Sequence, residues 1–420
     1  MRTIKLLSII ALITTSTFSQ NVLTLDECYK LGRENFPLIK QKEYIEKSRE
    51  YTVSNIWKSY FPQITISSQA TYQSDVTSIP LSLPGMKIEP VSKDQYKAVA
   101  DISQVIYDGG LMSAQSKIQN AASEVDDYKI EIELIKVKER INQLYFGILL
   151  LDKQLLQTEL TKADLKASLE KLNGAYANGT VTSSDVDILK AEILKLAQRE
   201  IEINSSRKSF LDMLGLMINK SLDQSAKLEL PEANNSLKVE RINRPEISMY
   251  TSQEKMIDQQ SGLSLAKILP KASLFVQGAY GKPTLNMLKN NFDWYYIAGA
   301  RLSWSLSSLY TYGNESEIIE LNKKSVESQK ESFLLNNKLL LIQYQNEFEK
   351  LQALVKIDED IIAIRTSVKN SAKAKLENGV ITSSDYLREL NAEDQAKQNL
   401  AMHTIQKLLA EQNYKLTTGN

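Results

Sequence analysis

Asn178–Asp185 reads NGTVTSSD, and Asn378–Asp385 reads NGVITSSD. Six of these eight positions match at an offset of 200 residues, too long a match to treat as a stray turn motif. Each octet has the chemistry of a helical hairpin tip. Gly179 and Gly379 supply the left-handed residue that ends a helix. Ser183, Ser184, Ser383 and Ser384 are candidate N-caps for the returning helix, and Asp185 and Asp385 stand in its first turn, where the helix dipole favours an anion. Capping alone is one reading of these residues, and a functional role at an exposed tip is the other. The flanks repeat too. Trp57–Ser67 echoes Ala266–Val276, with Pro62 against Pro270, and Asp101–Gly109 echoes Arg301–Gly313. Self-similarity at this range predicts a tandem duplication, with halves at 21–218 and 244–420 and a polar, turn-rich connector at 219–243.

Upstream of each tip lies a long helical pattern. From Leu111 to about Ala177 there is no Pro, and Gly147 and Gly174 are the only glycines. Ile118, Ala121, Val125, Tyr128, Ile132 and Ile135 recur at alternating spacings of three and four. Ile130, Leu134, Val137, Ile141, Leu144, Ile148, Leu151 and Leu155 continue the rhythm on a shifted face. One such seam makes a two-stranded coiled coil; two overlapping seams make a helix packed on both sides, like a stave in a tube. The second half repeats the pattern from about Asn314 to Leu376.

Two stretches, 61–107 and 271–307, change period from 3.6 to 2. Ile64, Ile66, Ala70 and Tyr72 alternate with polar residues, as do Tyr96, Ala98, Ala100, Ile102 and Ile106. Ala272, Leu274, Val276 and Tyr280 form one apolar face; Phe292, Trp294, Tyr296, Ala298, Ala300, Leu302, Trp304 and Leu306 form another. Alternation over 9–13 residues with aromatics near the ends fits a transmembrane β-strand, and it also fits a soluble antiparallel sheet with one wet face. Four strands cannot close a barrel, and an open edge in lipid leaves unpaired backbone groups costing several kcal/mol each. If these strands span a membrane, identical copies must share the barrel. Eight strands leave an interior filled by side chains, so a water-filled conduit calls for three copies or more.

Met1–Gln20 has a positive start (Arg2, Lys5), an apolar run at Leu6–Leu12 and a small polar end, the pattern of a secretory signal peptide cleaved before Asn21. The 51 Lys+Arg balance the 51 Asp+Glu, so no global charge drives the chain toward nucleic acid. One His and one Cys leave no material for a zinc site, a Cys/His nucleophile or an intrachain disulfide. No Gly-rich phosphate loop and no nucleophile elbow occurs, so neither an enzyme nor a cofactor is expected. His403 and Cys28 read as structural helix residues.

In this order and duplication the motifs resemble those of the TolC-like outer membrane efflux protein family. Leu23–Glu27 followed by Asn35-Phe36-Pro37 is similar to the family's opening helix. Phe61-Pro62-Gln63-Ile64 resembles its approach to the first strand, and Asp108-Gly109-Gly110 its approach to the long helix. Arg244-Pro245-Glu246 and Leu269-Pro270-Lys271 repeat the opening in the second half, and both NG…D tips resemble the family's hairpin ends. The resemblance implies a mostly α-helical chain with a membrane β portion: a homotrimer with a shared twelve-stranded β-barrel in the outer membrane and an α-barrel in the periplasm. It implies an exit duct for efflux or type I secretion, docked by a periplasmic adaptor that links it to an inner-membrane pump of RND or ABC type.

The resemblance also assigns candidate sites. Asn178-Gly179-Thr180 and Asn378-Gly379-Val380 match the adaptor-contacting tips, although their flanks are less apolar than usual in the family. Asp385, with Asp185 as its repeat counterpart, matches an acidic position that narrows the periplasmic entrance. Arg388 stands where the family carries a second acid. Tyr72, Tyr96, Phe292, Trp294 and Trp304 are the candidate lipid-interface aromatics. The rival expectation is a soluble periplasmic coiled-coil scaffold or adaptor, which explains helices and tips but not two strand pairs.

Overall fold

The structure, a computed structural model, describes residues 22–77, 90–232, 237, 241–286 and 289–419. The signal-peptide expectation and the stretch with Pro80 and Pro84, expected from sequence as a long irregular connection between the first two strands, lie outside them. The chain runs α1 (Leu25–Asn35), α2 (Ile39–Lys58), β1 (Gln63–Tyr72), β2 (Asp94–Tyr107), α3 (Leu111–Ala177), α4 (Ser183–Ile218), α5 (Pro245–Ile268), β3 (Lys271–Lys282), β4 (Asp293–Ser303), α6 (Leu309–Glu377) and α7 (Ser383–Thr418). At 1.5 Å per residue, α3 with 67 residues and α6 with 69 are each about 100 Å long. No helix among the described residues is long and apolar enough to cross a membrane. The chain divides into two compact units, and each draws segments from both halves of the sequence: 1–39, 133–243 and 337–420 in one, 40–132 and 244–336 in the other.

In the first unit the α3 seam read from sequence is buried. Val137, Ile141, Leu144 and Ile148 pack with Leu211, Leu214 and Ile218 of α4, Ile405 and Leu408 of α7, and Leu23, Leu25 and Cys28. Two devices fix the chain around this core. Tyr145, fully buried, donates its hydroxyl to the carbonyls of Leu23 (2.8 Å) and Glu229 (2.7 Å). Arg207 of α4 pairs with Asp152 of α3 and donates to the carbonyls of Gln224 and Ala226 at 2.8 Å, clamping the connector down. Nearer the tips a second core joins Leu165 and Leu172 of α3, Leu189 and Leu196 of α4, Ala372 and Leu376 of α6, and Tyr386 and Leu390 of α7.

In the second unit β1–β4 form one antiparallel sheet in sequence order. The hairpins β1–β2 and β3–β4 are joined by β2–β3 pairing, with Ile102 opposite Val276 and Ala100 opposite Gly278. Asp108, just past β2, organises the start of α3. Its carboxylate accepts from the N–H of Gly110 (2.9 Å) and Met112 (2.7 Å) and from the Tyr60 hydroxyl (2.9 Å). Gly109 must be Gly twice over: its φ is +75°, and a Cβ there would stand 2.9 Å from the Ala266 carbonyl oxygen.

Candidate functional site

Two features stand apart from the packed cores: the paired tips and the bare sheet. At the tips, α3 and α6 both end in a glycine with φ near +70°, and a backbone bond closes each turn, Thr180 N–H to the Ala175 carbonyl (3.1 Å) and Val380 N–H to that of Lys375 (2.8 Å). The cap of the returning helix comes before both of the serines expected to supply it. Thr182 and Thr382 are the N-caps, each in a reciprocal capping box with the Asp three residues on. The spacing Thr-x-x-Asp was the overlooked signal, since a capping box needs its hydroxyl residue three positions before the acid. Thr182 Oγ1 accepts from the Asp185 N–H (3.3 Å) and donates to Asp185 Oδ2 (2.7 Å); Thr382 and Asp385 make the same pair at 3.2 and 2.8 Å.

The second carboxylate oxygen differs between the tips. Asp185 Oδ1 accepts the backbone N–H of Ser383, the first residue of α7, at 3.2 Å. The Thr182 hydroxyl first, and then this N–H, hold its carboxyl below the usual carboxylate range. Asp385 Oδ1 has Arg388 at 3.7 Å, and Arg388 is also 3.2 Å from Glu389. The Thr382 hydroxyl holds the exposed Asp385 carboxyl low in the same way. Asn178, Gly179, Thr180, Asn378, Gly379 and Val380 are all exposed.

The sheet is exposed on both faces over most of its length, apart from points such as Val99 and Ala279. Its register sorts residues by parity. On one face lie Ile64, Ile66 and Tyr72 of β1, Tyr96 and Ile102 of β2, Leu274, Val276 and Tyr280 of β3, and Trp294, Tyr296, Ala298 and Leu302 of β4. The other carries Gln63, Thr65 and Gln69, then Lys97 and Asp101, then Ser273 and Gln277, then Asp293 and Arg301. Gln277 donates to Asp101 across that polar face at 3.2 Å, and the Arg301 guanidinium lies 5.0 Å from the Phe275 ring centre. The apolar face stays open: Ile66 is 81% exposed and Trp294 76%.

Aromatics gather at both ends of the apolar face. Tyr96, Tyr280, Phe292 and Trp294 form a chain of ring contacts at 4.9–6.0 Å, with Tyr72 on the same face. Tyr280, expected from sequence on the apolar face of its strand, joins the candidate interface aromatics through these ring contacts. At the other end are Trp304, whose indole N–H donates to the Ile268 carbonyl (2.9 Å), and the exposed Phe61, Tyr107 and Tyr310. Sequence reasoning singled out only Trp304 there: Phe61 falls in the turn before β1, Tyr310 in the first turn of α6, and Tyr107 is the last residue of β2, after a register shift that breaks the alternation. Ten residues separate Trp294 from Trp304, about 33 Å of extended chain at 3.3 Å per residue and about 25 Å along a normal tilted 40°.

Elsewhere the chemistry is structural. His403 Nδ1 lies 2.6 Å from Asp358, joining α7 to α6. Cys28 is buried, and burial pushes its thiol up to about 12. Among the described residues no group of three His, Cys, Asp or Glu is placed to hold a metal.

No protein-family model matches the sequence, and no curated protein matches it. Solved structures do match over nearly the full chain. The outer membrane protein VceC of Vibrio cholerae superposes with a TM-score of 0.69 at 14% identity, covering 94% of this chain and 96% of its own. The outer-membrane channel OprN gives 0.71 at 12% identity, covering 94% and 89%. The open state of the Neisseria gonorrhoeae MtrE outer membrane channel gives 0.69 at 12%, again covering 94% and 89%. The chain therefore has the fold of these outer membrane channels, the TolC-like fold.

Proposed function

We propose that this protein is the outer-membrane exit duct of a tripartite efflux pump or a type I secretion system. It is a passive homotrimeric conduit whose energy comes from a partner. The sheet carries this reading. A four-stranded sheet with two bare faces and two bare edges is not stable in water, where every layer needs an apolar cover. Lipid covers the apolar face, and the strands of two further copies cover the edges, giving twelve strands and a water-filled interior lined by the polar face. The two aromatic belts, about 25 Å apart along the normal, match the apolar height of an outer-membrane barrel. A soluble scaffold would leave Ile66, Tyr72, Trp294 and Leu302 in water.

The long hairpins of three copies form the periplasmic α-barrel. The exposed residues Asn178–Thr180 and Asn378–Val380 meet a periplasmic adaptor, which connects the duct to an inner-membrane pump of RND or ABC type. Three Asp185 and three Asp385 ring the entrance. Their carboxyls, held low, stay charged at neutral pH and favour cations, while Arg388 offsets part of the Asp385 charge. The like-placed capping boxes 200 residues apart support a two-repeat chain, 21–218 and 244–420.

The test is purification in detergent followed by mass measurement and planar-bilayer recording. The expected result is a trimer forming cation-preferring channels, with the preference reduced in Asp385→Asn. A stable monomer in detergent would overturn the reading, and an unchanged ion preference in Asp385→Asn would overturn the acidic ring.

A further inference from the structure

The polar face of the sheet is not polar throughout. In its register Tyr295, Ala279 and Val99 form one row across β4, β3 and β2, and Ile297 follows Tyr295 on the same side of β4. Ala279 and Val99 are buried, Tyr295 is half-buried and Ile297 is 38% exposed. Four residues before Ala279 on β3, about 13 Å of extended chain, stands Phe275. Its ring lies against Gly299, where a Cβ would be 3.2 Å away.

Each of the two rings has a cation beside it. Lys97 Nζ is 5.7 Å from the Tyr295 ring centre, and the Arg301 guanidinium is 5.0 Å from that of Phe275. Lys271 is on the same face, two residues before Ser273, the partner of Arg301. All three cations are exposed, and among the described residues none has a carboxylate in ion-pair reach. The register keeps acids away from them. Lys97 stands opposite Gln69 and Gly281, Arg301 opposite Ser273 and Lys271 opposite Ser303, whereas Asp101 stands opposite Thr65 and Gln277. Opposite charges set across from each other would have stabilised the pairing. Filling the space over Gly299 accounts for Phe275 as packing. It does not account for a cation at each ring with no acid to neutralise it.

We infer that each ring and its cation form a binding site for an aromatic anion, an aryl carboxylate or sulfonate, on the inner wall of the duct. The ligand's ring packs against the aromatic and apolar side chains, and its acidic group pairs with the cation held beside them. An aromatic cation meets like charge there, and an aliphatic anion has no ring to pack. The inference rests on the barrel reading above, which turns this face to the water inside, and it names a class of cargo that the wall retains. Three copies give six such sites. For a ligand of about ten heavy atoms, dissociation constants of about 1–10 mM are expected. Weak, repeated sites suit a conduit, which must release what it holds. Passing the acidic tips is uphill for an anion and falls to the partner pump; contact with the wall is downhill.

Saturation-transfer NMR on the full-length protein in a non-ionic detergent tests this, with empty micelles as the baseline. Benzenesulfonate is the probe. Benzyltrimethylammonium has the ring with the opposite charge, and methanesulfonate has the charge without the ring. Benzenesulfonate is expected to take up at least about fivefold more saturation than either control. Lys97→Gln together with Arg301→Gln is expected to remove that excess. Tyr295→Ser is expected to remove roughly half of it, because the Arg301 site is left. Circular dichroism and the oligomer band on a gel check that the variants fold, and the comparison of probes in the unmutated protein decides even where a variant does not. No excess over either control overturns the inference, as does an excess that survives in the folded double variant. A folded protein that runs as a monomer overturns the shared barrel instead; its open sheet still presents both sites, so the comparison of probes is read in the same way.

Discussion

Thr382 and Asp385 exchange hydrogen bonds of 3.2 and 2.8 Å at the start of α7, and Gly379 with φ +71° ends α6 just before them. Each residue satisfies a backbone group that a helix end leaves unpaired. Thr382→Ala is expected to cost about 1 kcal/mol of local stability. Gly379→Ala costs about 1–2 kcal/mol, because the left-handed conformation brings its Cβ against the following carbonyl. Amide hydrogen exchange over 376–390 checks both: protection should fall there by about tenfold and stay unchanged in the core around Ile141. Unchanged protection at the tip would remove the capping box as the device that fixes it. The turn was legible from NG and Asp alone. The cap lies before both serines at each tip, and of the three adjacent hydroxyl residues only the threonine stands three positions before the Asp, as a capping box requires. Also beyond sequence reasoning was the second oxygen of Asp185, since its partner, Ser383, lies 198 residues away.

Among the helices, the lengths and buried seam followed from periodicity, while the charged girdle did not. Asp164, Lys369, Glu393 and Asp394 are four ordinary helix residues in the sequence, and they become a network only when α3, α6 and α7 are set side by side. That network gives the hairpins an acid limit. Burial alone would raise the Asp164 carboxyl, but Lys373 and Lys369 outweigh it and hold it below its ordinary 3.8. Lys397, Thr366 and Lys369 likewise overcome burial at Glu393 and hold it below 4.5. A carboxyl lowered by folding contributes its stability in full above its unfolded value and loses it as pH falls through the folded one. Thermal stability of the helical region is therefore expected to be level above about pH 5 and to fall progressively below pH 4. Glu393→Gln, at a side chain only 4% exposed, should cost about 3 kcal/mol at pH 7 and flatten that acid limb. Circular dichroism melts from pH 3 to 8 measure both effects. An acid limb unaltered in Glu393→Gln would place the acid sensitivity elsewhere.

At the scale of the molecule, the deciding feature is a sheet that one chain cannot complete. Strand periodicity gave both the alternation and the count of four, but it left a soluble sheet and a membrane sheet equally open. What separates them is register. Pairing Ile64 with Ile102, Ile102 with Val276 and Val276 with Ala298 collects most of the exposed apolar side chains on one side, while Val99, Phe275, Ala279, Tyr295 and Ile297 lie on the other. Nothing in the described chain covers the first side, and Trp294 remains 76% exposed. The two faces should therefore respond in opposite ways to the same charge. Ala298→Lys places an ammonium in the middle of the apolar face, where a bilayer midplane penalises it by about 2–4 kcal/mol. Thr65→Lys places it on the polar face, in contact with water inside the barrel, at a cost near zero. Refolding into lipid vesicles, scored by the heat-resistant oligomer on a gel, is expected to fall at least tenfold for Ala298→Lys and to hold for Thr65→Lys. A soluble sheet reverses the expectation, because a lysine in place of an exposed alanine improves a wetted surface. Equal recovery of both variants would remove lipid as the cover of the apolar face, and with it the reason for three chains to share a barrel.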